Sequence, residues 1–366
     1  MTAVLITGGT VLTPTGQRAS DVLVIDGAIT QIGPAINAPR DTYRIDASGC
    51  LVAPGLIDLQ CNGGHGIDLA SEPERLWELS ALLPRHGVTA WLPTIVSTPP
   101  QIAERAIATL ARRPDGFTGA EPLGLHLEGP ALNPMRRGAH PVGALRLPTA
   151  DLVSGWRRDR GVALVTLSPE LAGGLDAVRA LRAVGVVVAA GHTDATTAEM
   201  LDALDAGVTA ITHLFNGMVP FAHREPGPVG VALTDERVTV GVIADGIHVH
   251  PMAVAAAYAA IRARLALVSD AVAPMGLSDA PDAVRLDDGV LAGSALTLDQ
   301  AVRNLIAFTG CAPEDALVCA SSTPAALLGD ADRGRLVPGA VGDLVVLSSA
   351  LEVVTTIASG DVVHAA

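Results

Sequence analysis

The chain has 366 residues, 49% of them hydrophobic but only 2% aromatic, and a net charge of −14. No stretch reaches the ~18 unbroken apolar residues of a membrane span, so the apolar content belongs to a large core that Ala, Val and Leu must fill, as they can inside a βα barrel. The acidity and the few aromatics argue against nucleic acid as a partner. All 24 basic residues are Arg, which excludes Schiff-base catalysis, a Walker A lysine and a carbamylated-lysine metal bridge.

The first residues, MTAVLITGGTVL, lack a positive region before the apolar run and read as a strand, not a signal peptide. Residues 1–50 alternate short β-like runs with turns and contain no convincing helix. Residues 334–366 resemble them, so the two ends are expected to build one small β-sandwich, with two independent β appendages as the alternative. The four cysteines, Cys50, Cys61, Cys311 and Cys319, form no CxxC pair, which suits reduced thiols and a cytoplasmic location.

From Leu51 a strand–helix rhythm begins. Eight candidate strands are LVAPGLIDLQ, GVTAWLPTIV, LGLHLEG, GVALVTLSPE, GVVVAAGH, TAITHLF, VTVGVIADGIH and LALVSDAV. Alternation of this length predicts an α/β fold, a (βα)8 TIM-like barrel over residues 51–333. Between the fifth and sixth strands, TTAEMLDALDAG carries a broad apolar helical face closed by Gly207. Residues 277–296 show hairpin-like turns, including DAPDAV, before a helix around SALTLDQAVRNLIAF.

The last residues of the strands carry the chemistry. Strand one ends in Asp58, Gln60 and Asn62, and strand three in His126 and Glu128. Strand five ends in His192, strand six in His213, strand seven in Asp245 and His248, and strand eight in Asp270. In a parallel barrel these ends surround one mouth. A buried strand closing on a carboxylate or imidazole is costly unless the group is paired or bound to a metal. Glu128, His192 and His213 offer two imidazoles and one carboxylate, the ligand pattern of a catalytic zinc site with an open position. A metal there lowers the pKa of bound water from 15.7 towards ~7, and Asp270 is the candidate acid/base. Singly, each has a plainer reading: a structural hydrogen-bonding His, a helix N-cap Asp, a Glu opening a turn. Their coincidence at one end of separate strands favours the metal. Arg224, in the Gly/Pro loop after strand six, is a candidate anion clamp, and a solvated surface Arg is its alternative.

The stretches APGLIDLQCNG, GLHLEGPALNP with RRGAHP, AAGHTDAT, THLFNGM, HREPG, ADGIHV, LVSDAVAPMG, LAGSALTLDQAVRN and PGAVGDLVVL together resemble the amidohydrolase superfamily, and within it the N-acetylglucosamine-6-phosphate deacetylases. The resemblance implies the barrel and sandwich, Glu128, His192 and His213 as metal ligands, and Asp270 as acid/base with a metal-activated water as nucleophile. It implies substrate contacts at Ala139 and His140 near the acetamido group, at Asn216, Gly217 and His248 near the sugar phosphate, and at the turn Leu291, Ala292 and Gly293. Arg224 matches a phosphate-binding Arg that reaches in from a neighbouring subunit, which implies a homodimer. The implied reaction is hydrolysis of N-acetyl-D-glucosamine 6-phosphate to D-glucosamine 6-phosphate and acetate, in amino-sugar catabolism and cell-wall recycling. A sister amidohydrolase acting on another N-acyl substrate and an inactive barrel scaffold are the rival readings.

Two departures matter. Many superfamily members place HxH on strand one for a second metal, where this chain has Gln60 and Asn62. Neutral amides are poor zinc ligands, so one divalent ion per subunit is expected, with Zn2+ the leading choice. Gly217 stands where similar proteins often carry Ala, an exchange expected to matter little if the contact runs through backbone.

Overall fold

Short β runs at the two ends of a chain bury little alone and need a second sheet to cover them. In the computed structural model, which describes residues 2–281 and 283–366, those runs form two facing sheets. One holds Ala3–Thr7, Asp21–Ile25, Ala28–Gly33 and Tyr43–Asp46. The other runs Asp361–Ala365, Val353–Ala358, Leu344–Leu347, Leu51–Pro54, Thr10–Thr13, Gly16–Ala19. Val4, Ile6, Val22 and Val24 meet Val52, Leu344, Val346 and Ile357 in a common core. This is the sandwich expected from both termini.

The run LVAPGLIDLQ is two strands, not one. Leu51–Pro54 pairs antiparallel with Leu344–Leu347, so the terminal sheet extends past residue 50. Leu56–Cys61 pairs parallel with Val88–Ile95 in the barrel. The break falls at Gly55, which lies so close to the Thr89 side chain that no Cβ fits. The Pro54–Gly55 pair is the one turn signal at that crossing, with apolar residues on either side of it.

The remaining parallel strands follow in sequence order: Leu125–Glu128, Val162–Leu167, Val187–Ala190, Ala210–Ile211, Thr239–Val242 and Leu265–Leu267. The ring closes just beyond the eighth strand, where Asp270 donates its N–H to the Gln60 carbonyl (2.9 Å) and Asn62 donates to that of Ala271 (2.7 Å). The helix predicted between strands five and six spans Thr197–Ala206. A capping box between Thr196 and Glu199 opens it, and Gly207 at φ 122° ends it. Among the described residues no helix is long and apolar enough to cross a membrane.

Barrel and sandwich are tied near the second terminal segment. Asp343, almost fully buried, accepts from Arg333 Nε (3.0 Å) and from the Ser359 backbone N–H (2.7 Å). Arg333 also reaches Asp330 at 3.2 Å.

Candidate active site

Strand periodicity points Asp58, Gln60 and Asn62 to the same side of the first barrel strand, and all three are buried. Asp58 is structural: it accepts the backbone N–H of Gln60 (3.1 Å) and of Ser269 (3.3 Å), tying strand one to strand eight. Burial pushes its carboxyl up to about 6. Cys61 faces the other way, its thiol donating to the Gly63 carbonyl.

Glu128 closes strand three, and His192 and His213 follow strands five and six by two residues. Their reactive atoms converge. Glu128 Oε1 lies 2.9 Å from His213 Nε2 and 3.3 Å from His192 Nε2, and the two nitrogens are 3.1 Å apart. His192, His213 and Asp270 all take the left-handed backbone conformation, at φ 50°, 28° and 48°. Non-glycine residues hold that conformation at a cost, and it gathers at functional sites.

The donor set fits a divalent cation. His192 Nδ1 is 2.8 Å from the Arg136 carbonyl, which can only accept. The ring hydrogen is therefore on Nδ1, and Nε2 turns a lone pair toward a carboxylate and a second imidazole. Such an arrangement is repulsive unless a positive charge lies among the three atoms. Tetrahedral zinc with ligands at ~2.0–2.2 Å has edges of roughly 3.3–3.5 Å between ligand atoms, close to the triangle observed. His213 Nδ1 is buried with no hydrogen-bond partner among the described residues. Burial would raise the Glu128 carboxyl, but the adjoining His192 and His213 imidazoles outweigh it and hold it well below the usual range. Burial would lower His213, and Glu128 outweighs that and raises it.

A second trio overlaps the first. Glu128, His140 and His192 each bring a ligand atom within 4.8 Å of the others. The hydrogen bonds of His140 set it apart. Its Nδ1 accepts the backbone N–H of Ser97 (3.2 Å) and lies 2.8 Å from the Ser97 hydroxyl. Nδ1 therefore carries the lone pair, and Nε2 carries the hydrogen, facing Glu128 Oε2 at 3.8 Å. Burial, then the neighbouring His192, pushes this imidazole down to about 3 and keeps it neutral. A protonated Nε2 donates hydrogen bonds and is no ligand.

Asp270 stands across from this cluster. Its Oδ1 receives Gln60 Nε2 at 3.0 Å and Asn62 Nδ2 at 2.8 Å. Burial, then the charge of Glu128, pushes its carboxyl up to about 6. The turn Leu291–Gly293 lies alongside, with Ser294 N–H bonded to the Asp270 carbonyl (2.8 Å). Arg285 and Leu291 form an antiparallel bridge, as the hairpin reading of this segment expects; Asp282, in its DAPDAV turn, lies outside the described residues.

The other sequence candidates divide. Asp245 Oδ2 holds His248 Nδ1 at 2.6 Å. Asn216 caps the turn after His213, its N–H bonded to the His213 carbonyl (3.0 Å). His126 points into the barrel, hydrogen-bonded to Thr166 (2.8 Å), and burial pushes it down to about 4. Arg224 is exposed and has no ion-pair partner among the described residues.

One expectation is overturned. Gly217 adopts φ 59°, and a Cβ there would lie 2.7 Å from His192 Nδ1 and 3.1 Å from its Cε1. An Ala at this position meets the His192 imidazole, so the exchange is not neutral in this chain. Sequence reasoning also missed Ser97, whose strand carries no acidic or imidazole group at its end, and Glu170. The Glu170 carboxylate fastens the loop after His192 through Thr193 Oγ1 (2.6 Å), Asp194 N–H (2.8 Å) and Asn133 Nδ2 (2.9 Å).

The amidohydrolase family model matches residues 51–363. The human N-acetylglucosamine-6-phosphate deacetylase is 40% identical over 348 residues, covering 87% of this chain and 85% of its own. The N-acetylgalactosamine-6-phosphate deacetylase of Escherichia coli O157:H7 is 38% identical over 353 residues, covering 90% and 91%. A solved mutant of the Mycobacterium smegmatis N-acetyl-D-glucosamine-6-phosphate deacetylase, in complex with N-acetyl-D-glucosamine-6-phosphate, superposes with a TM-score of 0.88 at 32% identity, over 99% of this chain and 100% of that one. On these matches and the site they frame, the chain belongs to the amidohydrolase family and, within it, to the N-acetylglucosamine-6-phosphate deacetylases.

Proposed function

We propose that this protein hydrolyses N-acetyl-D-glucosamine 6-phosphate to D-glucosamine 6-phosphate and acetate. The observation that carries the reading is a buried Glu128–His192–His213 triangle facing Asp270, in a chain 40% identical to a deacetylase of that name. Glu128, His192 and His213 would hold one divalent ion, Zn2+ by the chemistry of the donor set. When bound, the ion supplies Lewis acidity, activating water and polarising the amide carbonyl.

The chain's own groups supply the rest. Asp270 takes a proton from the attacking water and returns it to the amine as the C–N bond breaks, as a poor amine leaving group requires. The Nε2–H of His140 donates to the carbonyl oxygen as negative charge develops there. Ala139 and the Leu291–Gly293 turn line the sugar, while Asn216, Gly217 and His248 lie toward the phosphate. Arg224, exposed and without an ion-pair partner among the described residues, completes the phosphate site of a second copy in a homodimer. The enzyme works in the cytoplasm, in amino-sugar catabolism and cell-wall recycling.

The test is deacetylation of N-acetylglucosamine with and without the 6-phosphate, beside the galactosamine epimer, since one relative acts in name on that sugar. The expected result is turnover that needs the 6-phosphate and falls about 10²–10⁴-fold in Asp270→Asn. Turnover indifferent to phosphate would point to a sister amidohydrolase, and none on any acetamido sugar to a scaffold.

A further inference from the structure

Two buried carboxylates share this site, and something must keep them together. One nitrogen does so: Gln60 Nε2 is 3.0 Å from Glu128 Oε1 and 3.0 Å from Asp270 Oδ1. A primary amide nitrogen carries two hydrogens, so each carboxylate receives one. Asn62 Nδ2 adds a second donor to the same Asp270 oxygen at 2.8 Å. Gln60 and Asn62 are both almost fully buried, so these bonds are made out of reach of bulk water and are stronger for it.

The two Asp270 oxygens are thereby made unequal. Oδ1 accepts both amides, whereas Oδ2 receives no hydrogen bond among the described residues. A carboxylate oxygen loaded with two donors is a poor base, and the unencumbered one is the better. The backbone contributes to the same constraint, since the Asp270 N–H bonds the Gln60 carbonyl (2.9 Å). One residue thus grips Asp270 from its main chain and from its side chain.

We infer that Gln60, assisted by Asn62, is a positioning residue that fixes Asp270 through Oδ1, balances Glu128 against it, and reserves Oδ2 for the proton transferred in catalysis. The inference rests on the deacetylase reading given above. Gln60 and Asn62 act through the two carboxylates.

Gln60→Glu is the decisive variant, because it keeps size and shape while replacing the bridging donor with a third carboxylate. Gln60→Ala and Asn62→Ala remove donors without adding charge. For each, kcat and KM on N-acetylglucosamine 6-phosphate are measured beside divalent metal per chain and melting temperature. The expected result is a kcat lowered about 10-fold or more in Gln60→Ala, and further in Gln60→Glu. KM should stay within about threefold and metal content near wild type in Gln60→Ala, with kcat read well below the melting temperature of each variant. Asn62→Ala should show the same pattern more weakly. In an Asp270→Asn background, Gln60→Ala should lower the residual kcat no further, since both changes then act on one step. A Gln60→Glu enzyme with wild-type kcat would overturn the inference, as would losses in Gln60→Ala that appear only in KM or melting temperature. Inactive wild-type protein would instead defeat the deacetylase reading, leaving these two failures distinct.

Discussion

Ser97 directs its backbone N–H, at 3.2 Å, and its hydroxyl, at 2.8 Å, to the same ring nitrogen of His140. This pair settles which face of the imidazole the active site sees. With Nδ1 occupied as an acceptor, the Nε2–H is fixed toward Glu128, and the ring presents a hydrogen-bond donor on that side.

The Ser97→Ala variant keeps the backbone donor and loses the hydroxyl. One neutral hydrogen bond is worth about 0.5–1.5 kcal/mol, so kcat should fall roughly 3–10-fold with KM little changed. His140→Ala removes the donor outright and should lower kcat about 10²–10³-fold. Steady-state kinetics on both variants check this, and a Ser97→Ala enzyme as impaired as His140→Ala would contradict the assigned tautomer hierarchy.

Gly217→Ala places a methyl group 2.7 Å from His192 Nδ1, on a residue held at φ 59°. The imidazole must move, and its bond to the Arg136 carbonyl (2.8 Å) goes with it. Losing such an outer partner of a metal-binding His typically costs 10–100-fold in metal affinity. We expect a loss of about that size in competitive chelator titrations. Affinity equal to wild type would show that the loop around Arg136 adjusts freely.

Arg333→Met leaves Asp343 buried beside Ser359 without its cation. Removing one partner of a buried pair costs about 3–5 kcal/mol. Thermal unfolding should report a clear fall in stability, and kcat of the folded fraction should hold, because the pair lies outside the active site. Asp343→Asn in the same background should recover part of the loss by removing the stranded charge.

How far the sequence could be read follows from what each feature depends on. The eight strands and their polar endings were legible because alternation and burial leave a local pattern, and Glu128, His192, His213 and Asp270 each terminate such a pattern. The split of LVAPGLIDLQ was marked only by its Pro54–Gly55 pair, set between apolar residues that read on as one strand, and the contact with Thr89 that fixes Gly55 there is tertiary. Gln60 and Asn62 were visible as amides where ligands were expected, but their hold on Asp270 spans about 210 residues of chain and has no sequence signature. Ser97 acts partly through a backbone N–H, which every residue but proline possesses. The cost of Ala at Gly217 depends on where the His192 ring lies, a tertiary fact.

Metal analysis of three purified proteins tests the central claim most directly: wild type, His213→Ala and His140→Ala. The account predicts one tightly held divalent ion per chain in wild type, the same in His140→Ala, and its loss in His213→Ala. An ion retained without His213 and lost without His140, or two ions per wild-type chain, would contradict it.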